Sequence, residues 1–248
     1  MKALNALKAE KKKPENSEEP LKKSNAELSE ELITAIDNSF VERNGKQFKQ
    51  VVGFHPSYTN QCARYWYYLF QGVEMETSFS PQTHRIFDNG HAVHERIYSY
   101  LREMGILVAE EIPVSYDNPP IEGTADGIID FHGRKLIELK SISNEGYEYR
   151  RIYNKPKDDH VRQAQIYMRC LDLEQAFVIY ENKNNQSILP ILIERDDDFI
   201  DKLFSKYTKI YQNFVDKNIP KQPYKRTSKN CSNCDLAAMC WGEERSDQ

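Results

Sequence analysis

Apolar residues recur with the 3.6-residue period of an α-helix in several parts of the chain. Ser24 and Glu27 form a capping-box pattern, which predicts that the first helix begins there. A second helix is predicted to begin after Ser57 and to carry Cys62, Arg64 and the aromatic run at 65–70. The other predicted helices cover about 83–104, 158–171 and 197–217.

Short runs with strand-like composition lie between these helices. They cover 106–116, 123–131, 135–142, 176–180 and 187–193, and turn-forming residues separate the first three. Helices that flank a central mixed β-sheet make the predicted fold class α/β, or α+β. Residues 1–23 are rich in lysine and glutamate and contain no aromatic residue. They predict a flexible charged tail in front of a single domain at 24–248.

The chain has 248 residues, of which 39% are hydrophobic, so it can bury one sizeable core. No apolar run approaches the roughly 18 residues of a membrane helix, and no hydrophobic signal segment follows the N-terminus. We therefore expect a soluble, cytoplasmic protein that does not contact a membrane.

Basic residues cluster in two segments, 147–157 and 217–229. The net charge of −4 does not itself favour a nucleic-acid partner. One segment, 147–157, interleaves its cations with tyrosines, a pattern that suits base stacking and phosphate contacts. A solvated surface would show the same pattern. The residues predicted to contact nucleic acid are Arg64, Arg150, Arg151, Lys225 and Arg226.

Two carboxylates and a lysine form the first candidate site. Glu138 and Lys140 are two apart on a predicted strand, so their side chains share a face. Asp126 joins them if the hairpin loop has three residues, with Gly133 left-handed. This register pairs Asp130 with residue 134 and Asp126 with Glu138.

This trio suits metal-assisted hydrolysis of a phosphodiester. Two carboxylates bind Mg²⁺ or Mn²⁺, and the cation polarises the phosphate and activates a water molecule. A lysine can stabilise the charge that develops on the phosphoryl oxygens. Because the pattern is short, a surface salt bridge on a hairpin remains an alternative.

Three further residues could serve the same site. His94 lies on the third predicted helix, and imidazole suits manganese. Gln163 and Tyr167 are one turn apart on the fourth predicted helix, where they could contact DNA or orient the metal-bound water. An amphipathic helix that buries a tyrosine would look the same.

The motifs G-x-x-x-H, G-x-x-D, E-x-K and Q-x-x-x-Y occur in this order and resemble the RecB-like branch of the PD-(D/E)XK nucleases. Ala125 precedes the aspartate where the superfamily name has proline, which fits the G-x-x-D version. The resemblance implies a restriction-endonuclease-like core and DNA hydrolysis. It also implies metal ligands at His94, Asp126, Glu138 and the Leu139 carbonyl, with Lys140 catalytic and Gln163 and Tyr167 in support.

Cysteines form the second candidate site. Cys231, Cys234 and Cys240 are close in sequence, and Cys62 lies about 170 residues earlier. Four thiolates can hold Zn²⁺ or an iron–sulfur cluster, and spacing alone does not decide between them. The pattern resembles that of iron–sulfur nucleases, among them the CRISPR-associated RecB-like exonucleases and the AddAB nuclease domain. It therefore implies a 4Fe–4S cluster that joins the N- and C-terminal parts. The remaining cysteine, Cys170, is predicted to be a small buried apolar side chain.

The sequence thus predicts a metal-dependent deoxyribonuclease, with an exonuclease on single-stranded DNA or DNA ends as the leading form. The chain has no G-x-x-x-x-G-K-[ST] loop, so a motor would have to come from a protein partner. The alternatives are a non-catalytic nucleic-acid-binding module, a subunit of a larger helicase–nuclease complex, or a zinc-stapled structural protein. Exonuclease against endonuclease action, polarity, a preference for DNA over RNA, oligomeric state and pathway (CRISPR adaptation, recombination and repair, or phage replication) stay open.

Overall fold

The structure, a computed structural model, describes residues 23–242, apart from the side chains at positions 46, 47, 76 and 77. The predicted charged tail lies outside the described residues except for Lys23. The described residues divide into two compact units, with the boundary between Arg43 and Asn44. The prediction of one domain over 24–248 stays a prediction.

The first unit contains helix α1, Asn25–Asn38, and a short 3-10 helix, Val41–Arg43. The predicted capping box is present. The Ser24 hydroxyl accepts the N–H of Glu27 at 3.3 Å, and the Glu27 carboxylate accepts the N–H of Ser24 at 2.6 Å. Two N–H groups that the first helical turn leaves unpaired are satisfied in this way.

The second unit contains the remaining helices and all of the strands in the described part of the chain. The helices are α2 Ala63–Gln71, α3 Pro81–Glu103, α4 Asn144–Tyr153, α5 Asp158–Cys170, α6 Asp197–Val215, α7 Lys229–Ser232 and α8 Ala237–Trp241. The strands are β1 Gly45–Lys49, β2 Val73–Thr77, β3 Leu107–Tyr116, β4 Ile121–Asp130, β5 Arg134–Ile142, β6 Gln175–Asn182 and β7 Ile188–Glu194. No helix among the described residues is both long enough and apolar enough to span a bilayer.

A five-stranded sheet with the order β3-β4-β5-β6-β7 forms the centre of this unit. Its neighbours are antiparallel except β5 and β6, which run parallel because α4 and α5 form the crossover between them. Residues of α5 pack on one face of the sheet, where Tyr167 and Met168 meet Leu136. Residues of α3 pack on the other face, where Ile97 meets Leu139. The predicted fold class, a mixed sheet flanked by helices, is confirmed.

A second core holds α2 against α6. Phe54 is fully buried at its centre, with its ring stacked on Tyr207 at 4.4 Å and edge-on to Trp66 at 4.9 Å. These contacts fix the start of α2, and with it Cys62, which lies at the N-cap of α2 and not inside the helix as predicted. The sequence reading also assigned no element to β1, β2 or α4.

Candidate active site and cysteine pocket

The β4–β5 hairpin has the predicted loop. Asp130 lies opposite Arg134, and Gly133 has a φ of +95° in the three-residue connection. The ladder nevertheless ends at Gly127 and Ile137, one residue before the predicted pair of Asp126 with Glu138.

Side-chain chemistry accounts for this difference. Asp126 Oδ2 accepts the N–H of Leu139 at 2.6 Å, so its carboxylate takes the place of a backbone acceptor. The Asp126 carbonyl, released from the ladder with β5, accepts the hydroxyl of Tyr98 on α3 at 2.7 Å. The carboxylate is thereby held beside β5 without a cross-strand backbone pair.

Glu138 and Lys140 lie on the α5 side of the sheet, as Leu136 does, because strand residues two apart share a face. The Glu138 side chain is fully buried, and its Oε1 accepts a hydrogen bond from Lys140 Nζ. Its second oxygen, Oε2, is buried with no hydrogen-bond partner among the described residues. An unsatisfied buried acceptor costs about 1–3 kcal/mol, so this oxygen favours a bound proton or cation.

The ionisation of the trio reflects its burial. Burial raises the pKa of Glu138 to about 8, the Asp126 charge adds to the rise, and Lys140 opposes it. Burial also raises the pKa of Asp126, against the effects of Lys140, His94 and the Leu139 N–H. Burial disfavours the Lys140 ammonium, but the charges of Glu138 and Asp126 outweigh it, so the pKa of Lys140 is raised. The raised pKa values of both carboxylates mean that a cation would compete with protons for this site.

Replacing Glu138 by glutamine should flatten the pH dependence of stability in the metal-free protein. A folded-state pKa of about 8, above the unfolded value of 4.5, means that the folded state binds more protons between these values. Wild-type stability must then fall as the pH rises through this window. Thermal melts with EDTA from pH 5 to 9 measure this. The melting temperature of Glu138→Gln should fall less than that of wild type as the pH rises, by about 2–4 °C for each kcal/mol of ionisation penalty removed. Parallel melting curves for the two proteins would contradict the prediction.

His94 on α3 and Asp126 on β4 approach each other. His94 Nδ1 lies 4.0 Å from Asp126 Oδ1, and it lies 3.9 Å from Oε1 of Glu111 on β3. Glu111 was not predicted to belong to the site, because the sequence shows it only as one of two adjacent glutamates on a strand. The hydroxyl of Tyr98 lies 3.0 Å from Glu111 Oε1. A third carboxylate therefore borders this group.

Tyr167 approaches the trio from α5, and Gln163 on the same helix interacts with its hydroxyl. Both side chains are buried. Burial raises the pKa of Tyr167, the charges of Glu138 and Asp126 raise it further, and hydrogen bonds from Gln163 and the backbone of Thr124 oppose the rise. The structure thus brings together all of the residues predicted for the active site, while their roles stay predictions.

Gly123 leaves room for the Tyr167 hydroxyl. A Cβ at position 123 would lie 2.7 Å from the Tyr167 hydroxyl oxygen and 3.1 Å from Cδ of Pro56. Because Tyr167 is fully buried, it cannot move aside freely. Gly123→Ala should therefore destabilise the protein by about 1–3 kcal/mol in denaturant unfolding. Tyr167→Phe removes the clashing atom, so the same alanine should cost less in that background; an equal cost in both would contradict this account.

The four cysteines predicted to bind one group do line one pocket. Cys62 comes from the start of α2, Cys231 from α7 and Cys240 from α8, and Cys234 lies between these two short helices. All five cysteines of the chain are described, and all are free thiols. The fifth, Cys170, packs at the edge of both large cores and is half-buried, and burial raises its pKa to about 11.

Arg64 ties this pocket together. Its Nη1 donates to the Pro220 carbonyl at 3.0 Å, and its Nη2 lies 3.3 Å from the Cys240 carbonyl. Its Nε and the indole N–H of Trp241, which lines the pocket, are buried without a hydrogen-bond partner among the described residues. Arg64 is thus engaged within the protein, and its predicted contact with nucleic acid stays a prediction.

The other predicted nucleic-acid contacts lie on α4 and on the loop before α7. The Arg150 guanidinium lies over the Tyr149 ring at 4.9 Å, and Arg151 donates two hydrogen bonds to Glu148. The rings of Tyr149 and Tyr153 are 4.6 Å apart, and both side chains are more than half exposed. The remaining two, Lys225 and Arg226, lie on the loop between α6 and α7.

Metal-site geometry is incomplete in the described part of the chain, where no three His, Cys, Asp or Glu side chains are already arranged around one ion. The candidate ligands are therefore brought near one another without being closed around a cation. The Glu138 oxygen without a hydrogen-bond partner among the described residues is available to a cation, and the four thiols that line one pocket are available to a second metal group.

Comparisons with known proteins give structural likeness only. No protein-family model and no curated protein matches the chain. An alkaline exonuclease, LHK-Exo from Laribacter hongkongensis, is 18% identical with a TM-score of 0.48, over 67% of this chain and 89% of that one. The protein SSO0001 is 16% identical with a TM-score of 0.47, over 88% of this chain and 98% of that one. A phage-related exonuclease from Haemophilus somnus 129PT is 19% identical with a TM-score of 0.38, over 53% of this chain and 72% of that one. At these values the activity must be argued from the site.

Proposed function

We propose that this protein is a Mg²⁺- or Mn²⁺-dependent deoxyribonuclease that hydrolyses phosphodiester bonds, acting as an exonuclease on single-stranded DNA or DNA ends. The observation that carries the proposal is the trio of Asp126, Glu138 and Lys140, in which one oxygen of the buried Glu138 carboxylate has no hydrogen-bond partner among the described residues. The ordered motifs that resemble the RecB-like nucleases support it.

The donor set fits a hard divalent cation. Carboxylate oxygens are preferred ligands of Mg²⁺ and Mn²⁺, and Mn²⁺ also accepts an imidazole. Asp126, Glu138, His94 and the Leu139 carbonyl would hold the ion, which would polarise the scissile phosphate and acidify a bound water. The side chain of His94 is 25% exposed and that of Glu111 is 61% exposed, so the site opens to solvent on the α3 side.

The chain's own residues supply the remaining chemistry. Lys140 carries the positive charge that can stabilise the phosphoryl oxygens as negative charge develops on them. Its pKa is raised, so it stays protonated at neutral pH. Tyr167 contacts the backbone of Thr124 on the strand that carries Asp126, and Gln163 holds the Tyr167 hydroxyl. The neutral hydroxyl of Tyr167 also keeps charge away from that wall of the site.

A cleavage assay tests the proposal. The protein is incubated with linear single-stranded, linear duplex and circular DNA in Mn²⁺, in Mg²⁺ or in EDTA. Cleavage of linear DNA with either cation and none with EDTA is expected, with circular DNA spared. Cutting of circles would make it an endonuclease. DNA binding without cleavage under any condition would favour the non-catalytic binding module.

Helix α4 supports a single-stranded substrate. It begins at Asn144, four residues after Lys140, so its exposed tyrosines follow directly on the candidate site in the chain. Tyr149 and Tyr153 present open rings, and Arg150 beside them supplies positive charge. Aromatic rings next to cations stack on unpaired bases and contact their phosphates. We propose that this face of α4 holds single-stranded DNA.

Replacing Tyr149 and Tyr153 together by alanine should weaken binding of single-stranded DNA by roughly 10-fold or more, since stacking contributes about 1–3 kcal/mol per base. Fluorescence anisotropy with a labelled oligonucleotide in Ca²⁺ measures the change. Tyr100→Ala on α3, which also removes a partly exposed ring, is the matched control and should change little. Equal losses for single strands and duplex would contradict stacking as the cause.

At the cysteine pocket we propose a 4Fe–4S cluster, with Zn²⁺ as the alternative. Four thiols in one pocket suit either group. The Arg64 Nε and Trp241 indole N–H donors, which are unpaired within the described part of the chain, suit sulfur atoms that accept weak hydrogen bonds. Iron and acid-labile sulfide in protein purified without oxygen, with broad visible absorbance, are expected. Stoichiometric zinc without iron would overturn the cluster.

A further inference from the structure

Glu111 interrupts a regular strand at one position. On β3, Glu110 pairs with Gly127 and Ile112 pairs with Ala125, so the same register would set Glu111 opposite Asp126. That pair is missing from the ladder, and Glu111 has a φ of +48°. Non-glycine residues avoid this left-handed conformation unless their surroundings enforce it.

The side chain of Glu111 explains what this backbone achieves. Its Oε1 lies 3.9 Å from His94 Nδ1, which is itself 4.0 Å from Asp126 Oδ1. The Tyr98 hydroxyl lies within hydrogen-bond distance of both Glu111 Oε1 and the Asp126 carbonyl, so one residue of α3 joins the two strands. Two carboxylate oxygens thus border one imidazole nitrogen from different strands.

These separations match a cation site that is slightly too open. Ligand atoms at roughly 2.0–2.3 Å from one ion would lie about 3 to 4.5 Å from each other, depending on whether they are adjacent or opposite. Both distances start at His94 Nδ1, and a ligand atom has only one opposite position, so at least one of them would have to shorten to about 3 Å around a bound ion.

We propose that Glu111 is a third acidic residue of the divalent-cation site and helps to hold the ion together with Asp126 and His94. The inference rests on the proposed function for the existence of that site, but assigns to it a residue that the motifs do not include. The left-handed backbone at Glu111 is then the device that places the carboxylate at the open side of the site.

Manganese binding without DNA tests the proposal, with the free Mn²⁺ signal in electron paramagnetic resonance as the readout. Glu111→Gln should weaken Mn²⁺ binding about 10-fold or more. Glu110→Gln removes the same charge from the neighbouring residue, which pairs with Arg102, and should stay within twofold of wild type. Asp126→Asn should remove tight binding.

A second variant separates metal binding from folding. Glu111→Gly removes the carboxylate but accepts a positive φ without strain, so it should melt at or above the wild-type temperature while still binding Mn²⁺ weakly. If Glu111→Gln and Glu111→Gly bind Mn²⁺ within twofold of wild type while Asp126→Asn does not, the role of Glu111 is overturned and the proposed function stands. If wild type fails to bind Mn²⁺, or Asp126→Asn binds as wild type does, both are overturned.

Discussion

Lys140→Met is expected to lower DNA cleavage by about 10²–10³-fold, the loss typical of removing a group that stabilises developing charge. Methionine keeps the length and the apolar stem of the side chain but removes the ammonium. The loss has a second cause, because Glu138 Oε1 would lose its hydrogen-bond donor and the buried carboxylate would retain its proton more strongly. Rates at saturating Mn²⁺ on linear single-stranded DNA measure the effect.

Two controls make this result specific. Lys202→Met removes a lysine from α6, outside the proposed site, and should cleave at the wild-type rate. Circular dichroism and Mn²⁺ binding should show that Lys140→Met is folded and still binds the cation. Cleavage by Lys140→Met at the wild-type rate would remove the lysine from the mechanism and point to a contaminating nuclease.

Cys234→Ser is expected to abolish incorporation of the proposed cluster and to release the C-terminal segment from α2. A cross-link between Cys62 and the C-terminal cysteines closes a loop of about 170 residues. The chain-entropy estimate for closing a loop of that length is ~5 kcal/mol. Iron content, thermal melting and limited proteolysis between α6 and α7 should all change together.

Cys170→Ser is the matched control for this experiment. Cys170 lies on α5, packs against apolar side chains and is not part of the cysteine pocket. This variant should keep its full iron content and lose only the small stability of a partly buried apolar group. A Cys234→Ser protein with normal iron and normal protease resistance would contradict the stapling role.

The sequence predicted the trio because strand geometry constrains it strongly. Glu138 and Lys140 share a face by the two-residue period alone, and Gly133 suits only a few hairpin loops. The loop register was therefore predicted correctly. The broken ladder at Asp126 was not, because a carboxylate that replaces a backbone acceptor leaves no trace in the pattern of apolar and polar residues.

Glu111 shows the same limit in another form. A strand with alternating or acidic residues gives no sign of which position will turn left-handed, since glutamate has no preference for that conformation. Helix α4 was missed for a different reason. Its tyrosines favour strands, and only Ser143 at the N-cap and Asn154 at the left-handed C-cap mark its ends.

The cysteines were predicted to meet because four thiols with metal-like spacing have few other uses in a chain of this kind. The packing that holds Cys62 in place was not predicted. Trp66 and Phe54 fix the start of α2 through a buried aromatic core assembled from segments more than 100 residues apart. Even the pairing of β1 with β2, whose partners are more than 20 residues apart with α2 between them, cannot be read from local periodicity.

The position of β5 in the middle of the sheet has a consequence for amide hydrogen exchange. A strand with two neighbours and a helix packed on each face exchanges its amide hydrogens only when the whole unit opens, so β5 should be among its slowest-exchanging segments. Glu138 and Lys140 lie on that strand, whereas Glu111 lies on the edge strand β3. Local fluctuation can therefore admit a cation or substrate from the edge without moving the two residues at the centre.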